Sequence, residues 1–452
     1  MTRQTRLVGA VVALAFVVIA IGLLRAATNG HPMSVVDEHT HLDTAFKVHD
    51  GTYPYRGATY SQQLVEEWAC GVGHDGGATL APCDHPDLGP ISLPSGRLTS
   101  GYIHYPTYFL LAEGFRTVVD PVADLEPVAT YRLFSSLTAL LGVVACALVA
   151  WRLGLRGSAV LAATTLPSAA SSLLMYGEAF NPMSLTVAVS AVFAGFALTW
   201  VRTGRGYWGV VLTTALAAGL SVTTSLPAGA MILTILGAVG LRARGRPVQG
   251  PWQPRVWHAG LLGLGLVTPI VVFNRVIESR ATVDNSELYS FSPVNGAGAI
   301  AVGFVGELVS LHTPWINGDS LRVTSGHLVP ELLRAAVVGL PLLLTIAVFG
   351  GLALLLACRP GYAGDRQVGV LTPAERLLTL GTLTGLMLYA PLLRVSNAMT
   401  FGFDFPIVSR YSTAFAPLLV LLLLAGIRSL TVLRVLAAAG TISLVGLSMA
   451  GY

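Results

Sequence analysis

Long apolar runs alternate with polar segments along the whole chain, and each run is about as long as a helix that crosses a bilayer. Such a helix needs about 20 mostly apolar residues to cover a hydrocarbon core about 30 Å thick. The pattern therefore predicts an all-α integral membrane protein with about eleven transmembrane helices in a single polytopic domain, residues 1–452. The predicted spans lie at 7–24 and near 133–151, 158–175, 183–201, 207–223, 226–241, 258–277, 332–357, 376–393, 412–427 and 431–449.

Two long polar segments separate these runs: residues 26–127 follow the first span and residues 278–331 follow the seventh. Most acidic residues and every histidine except His258 lie in these segments, whereas short arginine-rich connections fall on the other side of the bilayer. Because arginine-rich loops remain cytoplasmic, we expect a cytoplasmic N-terminus and two extracytoplasmic loops in a cell membrane, the first loop bearing interfacial helices. The arginines concerned are Arg152, Arg156, Arg202, Arg205, Arg242, Arg244, Arg246, Arg255, Arg359, Arg366, Arg428 and Arg434.

The composition excludes several classes of protein. Hydrophobic residues make up 53% of the chain and charged residues 11%, whereas a soluble domain carries about 25% charged residues. A soluble enzyme, a disordered chain and a collagen-like fibre are therefore excluded. The net charge of +4 comes from arginines scattered among loops, which gives no reason to expect nucleic acid as a partner.

The densest group of ionisable residues follows the first span, in the stretch 36–43 that reads VDEHTHLD. Neighbouring carboxylates of Asp37 and Glu38 point in different directions, so one can accept a proton while the other orients a partner or a divalent cation such as Mg²⁺ or Mn²⁺. The acids could instead complement the N-terminus of a following helix. Metal binding is a further possibility, because potential ligands alternate along this stretch at Asp37, His39, His41 and Asp43. Zinc sites on a helix, however, use i, i+4 spacing.

Two later motifs could add binding groups to this cluster. His104 and Tyr105 precede Pro106, which favours the start of a helix lying along the interface. Arg410 and Tyr411 begin a late span, where a guanidinium offers a forked donor for phosphate. The alternatives are packing in the aromatic belt for the first motif and extension of the arginine toward headgroups for the second.

The first polar segment contains further candidates. Lys47 could meet a phosphate, and His39 and His41 could hydrogen-bond either substrate or the carboxylates. Cys70 and Cys83 could form a disulfide in an oxidising compartment, with two free thiols as the alternative.

The order of these motifs resembles that of the GT-C class of polytopic glycosyltransferases, which take sugars from polyprenyl-phosphate carriers. The subgroup it resembles comprises bacterial membrane proteins with a PDE..H start, related to protein O-mannosyltransferases. Val36 stands where proline is usual, and His104-Tyr105 stands where two prolines are usual. Met183 stands where an acid is common, and this last difference leaves donor specificity and metal dependence open. The matching segments are Asp37-Glu38, His104-Tyr105-Pro106-Thr107-Tyr108, Asn181-Pro182-Met183 and Arg410-Tyr411.

The resemblance implies transfer of a sugar to an acceptor hydroxyl on the extracytoplasmic face. Asp37 is then expected to be the general base, Glu38 its orienting or substrate-binding neighbour, and Arg410 the group that stabilises the departing phosphate. Donor or acceptor contacts are expected from His39, His41, Lys47, His104, Tyr105 and Tyr411. The acceptor could be a glycan, a glycolipid or a protein.

Two other functions remain open. A lipid or polysaccharide transporter or flippase is expected to place charges inside its spans, near the midplane of the bilayer, whereas these spans are nearly free of charge. A non-catalytic subunit of a cell-envelope assembly has no such requirement.

Overall fold

The computed structural model describes residues 3–34, 37–73, 93, 96–170, 176–284, 294–316, 331–358 and 371–450. Within these residues the regular secondary structure is helical, and an isolated antiparallel bridge joins Thr59 to Leu98. Short 3-10 helices lie at Gly101–Ile103, Pro182–Leu185 and Ser409–Phe415. The α-helices are α1 (Arg3–Thr28), α2 (Glu38–His49), α3 (Gln62–Ala69), α4 (Pro106–Val119), α5 (Pro127–Arg152), α6 (Ser158–Ser168), α7 (Thr186–Thr203), α8 (Tyr207–Leu220), α9 (Leu226–Ala243), α10 (Val256–Arg280), α11 (Gly296–Val309), α12 (Glu331–Ala357), α13 (Pro373–Phe401), α14 (Ala416–Gly426) and α15 (Leu430–Ala450).

Eight helical segments in the described part of the chain are long and apolar enough to cross a membrane. The prediction of a helical protein with many transmembrane segments is thereby confirmed, while the count of about eleven stays a prediction. Three shorter apolar helices, Phe16–Thr28, Tyr207–Leu220 and Gly296–Val309, accompany them. The eight segments are Pro127–Arg152, Pro182–Thr203, Leu226–Ala243, Val256–Arg280, Gly339–Ala357, Pro373–Met399, Ser409–Gly426 and Leu430–Leu447.

The predicted span at 158–175 contains a helix much shorter than its apolar run. The run 158–175 forms α6, which ends at Ser168 directly after Pro167. Proline lacks the amide proton of a helical hydrogen bond and disfavours helical geometry in the preceding residue. This helix has 11 residues, fewer than a membrane crossing requires, and residues 171–175 lie outside the described part.

Helix α14 lies at the centre of the bundle. Almost all of its residues are buried, and they are apolar on every side, as expected of a helix with no face toward solvent or lipid. Helix α10 is the opposite case, since only 11% of its apolar window is buried within the protein. Its exposed apolar surface suits contact with lipid chains.

The first polar segment is a folded unit with its own apolar core. Leu42 and Phe46 of α2, Trp68 of α3 and Tyr108 of α4 are buried together, and Phe180 from the turn before α7 joins them. Tyr105 stacks on Phe273 of α10 with ring centroids 4.1 Å apart. The unit is therefore packed against the helix bundle through several helices.

The described parts of the two polar segments meet at one end of the bundle, here called the loop end. Arg56 of the first segment forms a bidentate ion pair with Glu278 at the end of α10, both N···O distances being 2.9 Å. Thr107 Oγ1 donates to the carbonyl of Gly219 at the end of α8, at 2.8 Å. The chain thus gathers its polar loops on one side, and α5 and α7 run from there to arginines at their far ends.

Close packing of α9 against α13 gives a test of the bundle. A Cβ atom on Gly385 would lie 2.7 Å from Cβ of Ala230, whereas one on Gly240 would meet nothing within 4 Å. We expect Gly385→Ala to lower the free energy of unfolding by about 1–3 kcal/mol, because the two helices must separate. Gly240→Ala is the matched control and should melt at or above the wild-type temperature in detergent. Equal melting of both variants would contradict this packing.

Candidate functional site

Asp37 adopts a backbone conformation that is rare for a residue with a side chain. Its φ is 61° and its ψ 4°, and it is the one non-glycine residue with positive φ in the described part of the chain. It precedes α2 at the cap position, yet its side chain makes no capping hydrogen bond. Instead Oδ2 lies 3.2 Å from a terminal nitrogen of Arg410. The carboxylate therefore pairs with Arg410 and makes no hydrogen bond to the first amides of α2.

Glu38 is fully buried and paired with Arg132 at the start of α5. Its Oε1 accepts from Arg132 Nε at 2.8 Å and its Oε2 from a terminal nitrogen of the same guanidinium at 3.0 Å. The amides of Phe180 and Ser34 donate to the same two oxygens, at 2.9 and 2.6 Å. Burial opposes ionisation, but the charge and hydrogen bonds of Arg132 hold the pKa of Glu38 below its usual value. These contacts suit an orienting role for Glu38.

Arg132 also fixes the chain that leads into Asp37. Its remaining N–H groups donate to the carbonyls of His31 at 2.8 Å and Pro32 at 3.2 Å. One guanidinium thus joins both sides of the turn containing Asp37 to helix α5. The sequence interpretation missed Arg132, and a single charge at the edge of an apolar run was the only signal for it.

Two histidines lie beside this turn and are uncharged at neutral pH. The rings of His41 and His104 meet edge to face with centroids 4.3 Å apart. Burial lowers the pKa of His41 well below its usual value, and the positive charge of Arg410 contributes in the same direction. Burial likewise lowers the pKa of His104 to about 4, with Asp37 opposing the shift and Arg410 adding to it. Both rings are therefore neutral hydrogen-bonding groups near the Asp37–Arg410 pair.

Arg410 reaches Asp37 from a point 373 residues away in the sequence. It lies in the 3-10 helix Ser409–Phe415, and its guanidinium carbon is 5.5 Å from the ring centroid of Tyr411. Asp37 is half exposed, with 52% of its side chain accessible, whereas 12% of the Arg410 side chain is. The structure thus brings together Asp37, His41, His104 and Arg410, which we call the Asp37 site.

Other predicted binding residues have contacts elsewhere. Lys47 donates to Asp43 at 2.7 Å and to the carbonyl of Thr59 at 2.5 Å. His39 packs between Tyr60 and Trp68, with ring centroids 6.0 and 5.5 Å away. Tyr105 stacks on α10, as described above. Binding roles for Lys47, His39 and Tyr105 stay predictions, and the contacts seen here are structural.

One predicted disulfide and one predicted metal site involve residues of the first polar segment. Cys70 is disulfide-bonded, while Cys146 and Cys358 are free. Cys83 lies outside the described residues, so the pairing of 70 with 83 stays a prediction. Within the described ranges, no group of three or more His, Cys, Asp or Glu could hold a metal ion. A divalent cation at Asp37 or Glu38 gains no support from this arrangement.

A second set of paired charges, centred on the buried Glu307, holds the segment that carries Arg410. Glu307 of α11 accepts from Arg394 of α13 at 2.9 Å and from the amide of Ile407 at 3.0 Å. Arg394 also binds Asp404 through two hydrogen bonds of 2.6 Å, and His312 contacts Glu307 at 2.8 Å. A cavity of about 100 Å³ lies beside Arg394 and Asp404. The sequence analysis assigned no role to these residues.

No family model matches this chain, and a search among curated proteins finds no match either. The resemblance to GT-C enzymes therefore rests on the short motifs and on their arrangement along the chain.

The buried ion pair gives a direct stability test. Removing one partner of such a pair leaves an uncompensated charge and costs about 3–5 kcal/mol. We expect Arg132→Met and Glu38→Gln to lower the melting temperature and to increase amide hydrogen exchange in residues 37–49. Asp50→Asn, which changes an exposed acid at the other end of α2, is the matched control. Wild-type exchange in both variants would show that the pair does not hold this turn.

Proposed function

We propose that the chain is a polytopic membrane glycosyltransferase of the GT-C type. It transfers a sugar from a polyprenyl-phosphate carrier to an acceptor hydroxyl at the loop end, which we place on the extracytoplasmic side of the cell membrane. The observation that carries the proposal is the contact between Asp37 and Arg410. It joins a half-exposed carboxylate, suited to accept a proton, to a guanidinium suited to bind phosphate.

The reaction assigned to the Asp37 site is a displacement at the anomeric carbon of the donor sugar. The acceptor oxygen forms a bond to this carbon, and its proton passes to the carboxylate of Asp37. The bond between the carbon and the phosphate oxygen breaks, and polyprenyl phosphate leaves with the electron pair. Arg410 stabilises the charge that develops on the leaving phosphate. Because donor phosphate competes with Asp37 for the guanidinium, donor binding also frees the carboxylate to act as a base.

The position of Arg410 suits a lipid-linked donor. The 3-10 helix that contains Arg410 runs directly into α14, an apolar helix at the bundle centre. A guanidinium at the start of such a helix lies near headgroup depth, where the phosphate of a polyprenyl carrier lies. We place the arginine-rich connections and the N-terminus in the cytoplasm. We count about eleven spans by adding the apolar runs that contain α1, α6 and α8 to the eight long segments.

The buried charges argue against a transport pathway. A transporter or flippase is expected to carry ionisable groups near the midplane of its spans. Here Arg132 pairs with Glu38 at the loop end of α5, and Arg394 pairs with Glu307, which precedes a loop. A non-catalytic subunit of a cell-envelope assembly would show neither transfer nor transport.

Release of free polyprenyl phosphate by the reconstituted protein tests the proposal. Polyprenyl-phosphate sugars are supplied one at a time, together with glycan, glycolipid or peptide acceptors. Asp37→Asn should lower kcat about 100- to 10,000-fold, because a positioned base is lost. Arg410→Ala should mainly raise the KM for the donor.

The control is Asp50→Asn, which removes an acid of the same loop and should transfer at the wild-type rate. Near-normal transfer by Asp37→Asn would exclude the base assignment. No release by the wild type from any donor would favour the transporter or the assembly subunit.

A further inference from the structure

In the described part of the chain, the end of the bundle opposite the loop end carries more arginines than acidic residues. No aspartate or glutamate occurs between Glu178 and Glu278, although this stretch contains the whole of α7, α8 and α9 and most of α10. Arg202 pairs with Glu375, at 2.8 Å. The other arginines of this stretch that lie at the same end of the bundle form no ion pair in the described part of the chain. They are Arg205, Arg242, Arg244, Arg246 and Arg255.

Two of these arginines each stand two or three residues before an exposed tryptophan at the start of a helix. Arg205 stands three residues before Trp208 at the start of α8, and Arg255 stands two residues before Trp257 at the start of α10. Both arginines are exposed, and the tryptophans are 63% and 48% exposed. A cation beside an amphipathic ring is the combination that membrane proteins place at headgroup level.

The two arginine–tryptophan segments lie side by side. Tyr207, which precedes Trp208, donates its hydroxyl to the carbonyl of His258 at 2.7 Å, and its ring centroid is 5.6 Å from that of Trp257. The rings of Trp257 and His258 stack with centroids 3.7 Å apart. The amide of Arg255 donates to His258 Nδ1 at 2.8 Å, which fixes the start of α10. The helix starts are therefore joined by ring contacts and hydrogen bonds.

The connection between α9 and α10 is ordered around the same place. Trp252 is fully buried and meets Trp200 edge to face, with centroids 5.7 Å apart. Arg242 donates to Gln253 across this connection. Arg244 and Arg246 remain exposed on it, so they add positive potential next to the two arginine–tryptophan segments.

We propose that Arg205 and Arg255, with Trp208 and Trp257, form a binding site for the phosphate headgroup of an anionic phospholipid. Exposed apolar side chains continue from the tryptophans along both helices, with Leu212 69% and Leu264 62% exposed. Such a surface fits the acyl chains of a lipid whose phosphate lies between the arginines. An acidic protein would match the arginines but not this apolar surface. The proposal is independent of the reaction at the Asp37 site.

The test measures lipid selectivity of the full-length protein in bilayers of phosphatidylcholine. Spin-labelled phosphatidylglycerol and spin-labelled phosphatidylcholine compete for the protein surface, and their relative association constant is read from the immobilised fraction. R205Q/R255Q should lower the preference for phosphatidylglycerol about 10-fold, since each arginine near the surface attracts anionic lipid strongly. High salt should lower the wild-type preference in the same direction.

The control is R152Q/R428Q, which removes two exposed arginines from other connections that we place on the same side. It should keep the wild-type preference to within about 2-fold, because a general electrostatic effect of distant charges is screened beyond about 10 Å. Equal losses in the two variants would overturn the proposal, since the effect would then be one of overall charge. An unchanged preference in R205Q/R255Q would overturn it as well. Circular dichroism and melting temperature identify a variant that fails to fold, and R205K/R255K, which keeps both charges, should retain at least half of the preference.

Discussion

The buried ion pair between Glu38 and Arg132 determines the position of the groups around Asp37. Moving two charges out of water costs several kcal/mol per ion unless each is paired and fully hydrogen-bonded. Here both carboxylate oxygens accept two hydrogen bonds, and the guanidinium contacts the carbonyls on the other side of the turn. Shifting α2 along α5 would break all of these contacts together. The left-handed backbone of Asp37 is tolerable because its surroundings are held in this way.

The two halves of the Asp37 site are held by similar means. Asp37 depends on a carboxylate and an arginine buried between the first loop and α5, whereas Arg410 depends on Glu307 and Arg394, between α11 and α13. The two supporting ion pairs share no residue, so the contact between Asp37 and Arg410 depends on the fold as a whole. Groups placed before substrate arrives need no reorganisation during reaction, which is the main source of electrostatic catalysis in enzymes. The neutral rings of His41 and His104 add hydrogen-bonding capacity without adding charge.

Many of the helices could be predicted from the sequence, because an apolar run of about 20 residues rarely forms anything other than a membrane-spanning helix. The run at 158–175 was an exception, since Pro167 lies near the end of a helix that is shorter than the run. Asp37 and Arg410 were each singled out from local motifs, but their contact joins positions 373 residues apart, beyond what periodicity can show. Arg132 and Glu307 carried no local pattern at all. Lys47 looked suited to phosphate, yet Asp43 one helical turn earlier binds it.

The most direct test of the Asp37 site is a double-mutant cycle on kcat/KM for the donor, measured as polyprenyl phosphate release at limiting donor, because this quantity reports both donor binding and chemistry. Asp37→Asn, Arg410→Ala and the double variant are compared with the wild type in the same bilayers. Residues that act as one unit give strongly non-additive losses. If Asp37 and Arg410 act together on one donor, the double variant loses about as much kcat/KM as Asp37→Asn alone. Losses that multiply, as expected of two independent residues, would contradict a joint catalytic site.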